Sequence, residues 1–149
     1  MSTEVKNVSN PLTLVLNIKS KADAKKVQEF LANETTKTTI NTALKAVGTV
    51  HFARFVFLSE LELAIITSYD GDFEAYVDAF IDQLHSIFDT LLSFMIGGAE
   101  VTPIKKKTDE FLAYIKTHDR SRVGGVLQQE FCAYPNLTVA AILSCEDNK

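Results

Sequence analysis

Alternating apolar and polar positions mark the first element at residues 12–18, LTLVLNI. Leu12, Leu14, Leu16 and Ile18 fall on one side, and Thr13, Val15 and Asn17 on the other. A period of two is that of a strand covered on one face. The period then changes. After Ser20, a residue suited to an N-cap, the apolar positions Ala24, Val27, Phe30 and Leu31 repeat at helical spacing as far as Asn33. Polar residues 33–39 predict an interruption. Ile40, Ala43, Leu44 and Val47 predict a second helical piece, stopped by Gly48.

Residues 49–58 and 61–69 are rich in β-branched and aromatic side chains, which predicts two strands joined by a tight turn at Ser59-Glu60. With Leu58 opposite Leu61, Arg54 falls opposite Ile65 and His51 opposite Ser68. One face then carries Phe52, Arg54, Val56, Leu58, Leu61, Leu63, Ile65 and Thr67. The other carries His51, Ala53, Phe55, Phe57, Glu62, Ala64, Ile66 and Ser68. Both faces are apolar enough to need a cover. Residues 72–95 supply one, an amphipathic helix of about 36 Å running from Phe73 to Met95 and ended by Gly97-Gly98. A helix over 105–118, a last strand over 126–134 and a short helix over 137–143 complete the chain.

The order strand, helix, strand, strand, helix, strand is that of an α+β ferredoxin-like βαββαβ sandwich, with an antiparallel sheet and helices on one face. Residues 1–10 are expected to be a flexible N-terminus and 11–149 a single domain. The uncovered sheet face predicts a homodimer, in which a second copy is the cover.

Composition narrows the functional classes. Among 149 residues, 46% are hydrophobic and 23% charged, and the net charge of −4 argues against a nucleic-acid surface. The polar N-terminus has no core of signal-peptide length, and no apolar run reaches the roughly 18 residues of a membrane span. Cys132 and Cys145 therefore read as reduced thiols of a cytoplasmic protein with no membrane partner. The sequons at Asn7, Asn33 and Asn136 carry no weight in that compartment.

The runs VGTVHFARFVFL (47–58), YDGDFEAYVDAFI (69–81) and FCAYPNLTVAAI (131–142) resemble the dimeric α/β-barrel superfamily. More narrowly, they resemble an uncharacterised stand-alone bacterial group within it. The resemblance implies a dimeric barrel with ligands held between sheet and helices or inside the barrel. The superfamily spans haem-degrading and antibiotic-synthesis monooxygenases, dye-decolourising peroxidases, chlorite dismutases, lactone isomerases and ligand-sensing modules, so fold kinship transfers no reaction. The peroxidase GxxDG motif has only Ser68-Tyr69-Asp70-Gly71 as a counterpart here, without the leading glycine. Its catalytic roles are not carried over.

Arg54 is the first candidate site residue. A guanidinium in an apolar strand calls for a carboxylate, several carbonyls or an anionic ligand. His51 lies on the opposite face by strict alternation, so the two serve one site only across a bulge. Glu130 and Tyr134 share a face of the expected last strand with Cys132 and complete the ligand-binding candidates. His85 sits beside the apolar stripe of the long helix, and His118 suits a helix C-terminus. Asp70-Gly71-Asp72 reads as a turn and helix cap, because a calcium loop starting at Asp70 would place Ile81 where a glutamate is required. No zinc, dinucleotide or phosphate-loop pattern occurs. The chain carries no cofactor motif, and the resemblance leaves haem and flavin open. The expectation is a cytoplasmic homodimer binding a small, partly apolar molecule, neutral or anionic. The rivals are a cofactor-poor monooxygenase- or isomerase-type enzyme and a protein-interaction module.

Overall fold

A computed structural model describes residues 7–147. Over these residues the fold is α+β, with a three-stranded antiparallel sheet and five α-helices. Strand β1 (Ser9–Asn17) starts earlier than the alternation implied, and Ser9 and Asn10 already pair with Asp70 and Tyr69. The rest of the expected flexible terminus, residues 1–6, lies outside the described residues.

Helix α1 (Lys21–Ala32) is capped by Ser20, whose hydroxyl accepts from the Asp23 amide. The expected interruption over 33–39 shrinks to one residue. Asn33 leaves helical geometry, and its side-chain oxygen then accepts from the amides of Thr35 and Thr36. Helix α2 (Glu34–Val47) restarts at once on that cap. Gly48 ends it with φ 74°, the left-handed conformation in which glycine carries no Cβ penalty.

Strands β2 (Val50–Ser59) and β3 (Glu62–Asp70) form the hairpin, and β3 lies between β1 and β2. The register departs from the expected one. Glu60-Leu61 is the turn, Ser59 pairs with Glu62, and a bulge at Leu58 places Arg54 opposite Ile66, not Ile65. A shift of one residue exchanges the faces. Ala53, Phe55 and Phe57 now join Thr67, Ile65 and Leu63 on the helix-covered side. Phe52, Arg54 and Val56 stand on the other side with Ser68, Ile66 and Ala64. This register sends two phenylalanines to the core and the one guanidinium away from it.

Helix α3 (Phe73–Leu92) starts on Asp72, which accepts from the Ala75 amide. It buries Tyr76, Val77, Phe80, Leu84, Phe88 and Leu91, among others. Burying each large apolar side chain contributes about 1.5–3 kcal/mol. The Tyr76 hydroxyl donates to Thr67 Oγ1 at 3.2 Å, and the Tyr76 ring stacks on Tyr69 at 4.2 Å, so α3 sits on the face of Leu12, Leu14, Ile65 and Thr67. Beyond α3 the chain doubles back: the Ile96 amide donates to the Asn17 carbonyl and Met95 bridges Ile18. A Cβ on Gly98 would fall on the Leu92 carbonyl, so only glycine permits this approach. Helix α4 (Thr108–His118) then returns across β1.

Of the expected strand over 126–134 only Val126–Leu127 forms, and it lies outside the three-stranded sheet. Gly124 and Gly125, both at positive φ, fold β4 (Arg122–Val123) tightly onto β5 (Val126–Leu127). The free edge of β1 is met earlier in the chain: the Arg120 amide donates to the Thr13 carbonyl, and Asp119 Oδ1 accepts from the Thr13 amide. Residues 128–138 are irregular and lead to helix α5 (Val139–Asp147). Among the described residues, no helix is long and apolar enough to cross a membrane.

Candidate functional site

The start of β2 and the end of β3 set the site's geometry. Val50 pairs with Tyr69 and Phe52 with Ser68, which leaves His51 as the extra residue of a bulge. The bulge suspends the alternation that would keep His51 away from Arg54's face. His51 Nε2 lies 2.7 Å from Asp70 Oδ1, and the two side chains are only 5% and 11% exposed. Asp70 shares its face with Ser68, Phe52 and Arg54 through the ladder. A carboxylate only accepts, so Nε2 is the donor and Nδ1 is the nitrogen left for other chemistry.

Asp70 has a second role. Its Oδ2 accepts from the Val139 amide at 2.7 Å, at the first residue of α5, while the Thr138 hydroxyl accepts from the Ala141 amide. The carboxylate thus stands at a helix N-terminus, where negative charge is favoured. This contact brings the C-terminal segment over the polar end of the sheet. Tyr134 follows it, and its ring packs against His51 with centroids 5.8 Å apart.

Glu130 is held nearby. Its Oε1 accepts from the hydroxyls of Ser9 at 2.6 Å and Ser68 at 2.9 Å, both buried, and its carbonyl accepts from the Asn7 side chain. These bonds fix Glu130 as an anchor of the segment. The Val8 amide donates to the Pro135 carbonyl in support.

Between the C-terminal end of α2, the start of β2 and α5 lies a cleft of about 340 Å³. Leu44, Lys45, His51, Phe52, Tyr134 and Ile142 are among its walls. Such a volume fits a small molecule, and the walls are mainly apolar with a few convergent polar groups. Lys45, in the last turn of α2, supplies a cation at the rim.

Of the four residues singled out from the sequence, His51 and Tyr134 line this cleft, while Glu130 bonds Ser9 and Ser68 and is not among its walls. The shared strand face expected to unite Glu130 and Tyr134 does not exist. An irregular segment pinned by Asp70, Ser9 and Ser68 unites them instead. Arg54 stands apart. It is exposed on edge strand β2 and makes no ion pair among the described residues, so no described carboxylate is its partner. The C-terminal segment covers that side of the sheet only at its Ser68–Asp70 end, and Arg54 is left exposed beyond it.

The sequence reading missed Asp70 as a site residue, because a turn aspartate before a helix is usually a cap. Ser68 and Asp70, two apart at the end of an otherwise apolar strand, were the available signal. Among the remaining histidines, His118 Nδ1 bonds the Tyr114 carbonyl at 2.8 Å and its ring lies on Tyr114, a structural role. His85 is half-buried on α3, away from the cleft. Among the described residues, no three His, Cys, Asp or Glu side chains are grouped to hold a metal ion.

No family model, curated protein or solved structure matches this chain.

Proposed function

We propose that this protein binds a small, partly apolar molecule in the cleft between α2, β2 and α5, with Lys45 at the rim able to pair an anionic group. The observation that carries this reading is the convergence of His51 and Tyr134, from opposite halves of the chain, on one largely apolar cleft. Native mass spectrometry of the purified protein, before and after organic extraction, tests it. A co-purifying small molecule that is lost in both His51→Gln and Tyr134→Ala supports the reading. A ligand-free wild type that no compound library stabilises in thermal shift counts against it.

A second reading rests on the His51–Asp70 pair at 2.7 Å. A carboxylate that fixes one ring nitrogen prepares the other to move a proton, which suits an isomerase-type enzyme on this scaffold. Turnover that disappears in His51→Gln while the ligand still binds favours catalysis over simple binding.

The dimeric, ferredoxin-like assembly belongs to the same proposal, as does a cytoplasmic location. The strand order β1-β3-β2 and the apolar residues left exposed on the second sheet face support the assembly. Phe52 is 48% exposed there, beside Val56 and Ile66, and Leu58 is exposed in the bulge that follows. Arg54 and Glu62 stand on that face on either side of Val56 and Ala64. A two-fold axis near Ala64 brings Arg54 of one protomer toward Glu62 of its partner. Light scattering at micromolar concentration tests this. A dimer that Phe52→Asp dissociates supports it, and a monomeric wild type rejects it.

A further inference from the structure

A second cleft, of about 420 Å³, lies on the helix-covered side of the same strand end. Tyr69, Phe73, Lys116, Asp119, Arg122 and Leu127 are among its walls. Tyr69 alternates with Ser68 and Asp70 on β3, so it points away from the His51 cleft. The residue is 5% exposed, its ring stacked on Tyr76 at 4.2 Å with Phe73 tilted against it at 6.4 Å. The Tyr69 hydroxyl makes no hydrogen bond among the described residues. The ring is buried, but the hydroxyl is not among the fully buried polar atoms that lack a partner, so it is open to the cleft. Burial pushes its pKa up to about 12, the Asp119 and Asp72 carboxylates add to the rise, and Arg122 opposes it. At neutral pH the hydroxyl is therefore a fixed donor at the cleft wall.

The charges around it are not equivalent. Asp119 is already engaged: Oδ1 accepts from the amides of Thr13 and Ser121, and Oδ2 from the Ser121 hydroxyl. Lys116 and Arg122 form no ion pair among the described residues. One neutral donor and two cations thus have unused bonding capacity, beside an apolar wall of Phe73, Pro11 and Leu127. Cations and a phenol over an aromatic wall suit an anion with a flat apolar body. Asp119 and Asp72 keep the local field from favouring a dianion, so a single negative charge fits better than a phosphate.

We propose that this cleft is a second binding site, for a small aromatic carboxylate. Its carboxylate accepts from the Tyr69 hydroxyl, Lys116 and Arg122, and its ring lies against Phe73 and Leu127. The site is independent of the His51 cleft and does not rest on the function proposed for it.

The experiment titrates the full chain with benzoate and, separately, with inorganic phosphate, following the amide signals of Phe73 and Ser121 by NMR. Saturable benzoate shifts are expected, with phosphate weaker. Tyr69→Phe keeps the stacked ring and loses only the donor, so affinity should fall about tenfold. Arg122→Gln changes an exposed side chain that the fold does not need, and should weaken benzoate similarly. His51→Gln should leave it unchanged. Absence of saturation, tighter binding of phosphate, or unaltered affinity in both Tyr69→Phe and Arg122→Gln overturns the proposal.

Discussion

His51 and Asp70 are 19 residues apart in sequence and 2.7 Å apart in space, joined across a bulge at the mouth of a hairpin. The same carboxylate receives the first amide of the C-terminal helix. One aspartate therefore ties the C-terminal helix α5 to the β2–β3 hairpin.

This coupling ranks two neighbouring aspartates. Asp72→Ala removes an N-cap and should cost about 1 kcal/mol. Asp70→Ala removes two bonds to a carboxylate and should cost more, about 2–4 kcal/mol. It should also raise hydrogen exchange throughout α5. Urea unfolding of the two variants measures the order, and equal losses would show that the His51 and Val139 contacts contribute little.

Glu130 is expected to work through geometry and not through charge. A glutamine can still accept from the Ser9 and Ser68 hydroxyls with its side-chain oxygen, so Glu130→Gln should lose less than about 1 kcal/mol. Glu130→Ala strands two buried hydroxyls and should lose about 1–3 kcal/mol. If the two variants unfold together, the hydroxyl pair is not what holds the segment.

Arg54 offers a contrast. Being exposed and without an ion pair among the described residues, it should contribute within about 0.5 kcal/mol to folding of the isolated chain. Arg54→Met is the test, with chemical denaturation at low protein concentration as the readout. A loss of several kcal/mol there would mean that the guanidinium has a buried partner after all.

Alkaline pH should unfold the protein through its tyrosines. Burial is the leading cause that raises Tyr69, Tyr76 and Tyr114 from 10.0 to about 12. In each, the neutral phenol is favoured in the folded state. Their stabilisation is therefore complete below pH 10 and is lost as pH rises toward 12. Unfolding curves from pH 8 upward should stay level and then fall, and Tyr76→Phe should flatten the fall. A decline that begins well below pH 10, or one unchanged in Tyr76→Phe, contradicts this assignment.

Most helices and the first three strands were legible in the chain itself, because their periodicity is local. The repeat from Phe73 to Leu92 and the caps Ser20, Asp72 and Gly48 were legible for that reason. Other features needed the third dimension. Asn33 restarts a helix inside a polar stretch because its side chain can bond two amides, a choice that composition does not reveal. The hairpin register turned on which side of the sheet α3 covers. A one-residue bulge at Leu58 costs little beside burying Phe55 and Phe57 in place of Arg54. The segment after Val126 looked like a strand, yet Asp119 and Arg120 had already taken the edge of β1 at Thr13. The candidate site is the extreme case. Its donors and acceptors lie up to 123 residues apart, between Asn7 and Glu130. Only chain closure, driven by the need to pair buried polar groups, brings them to one end of the sheet.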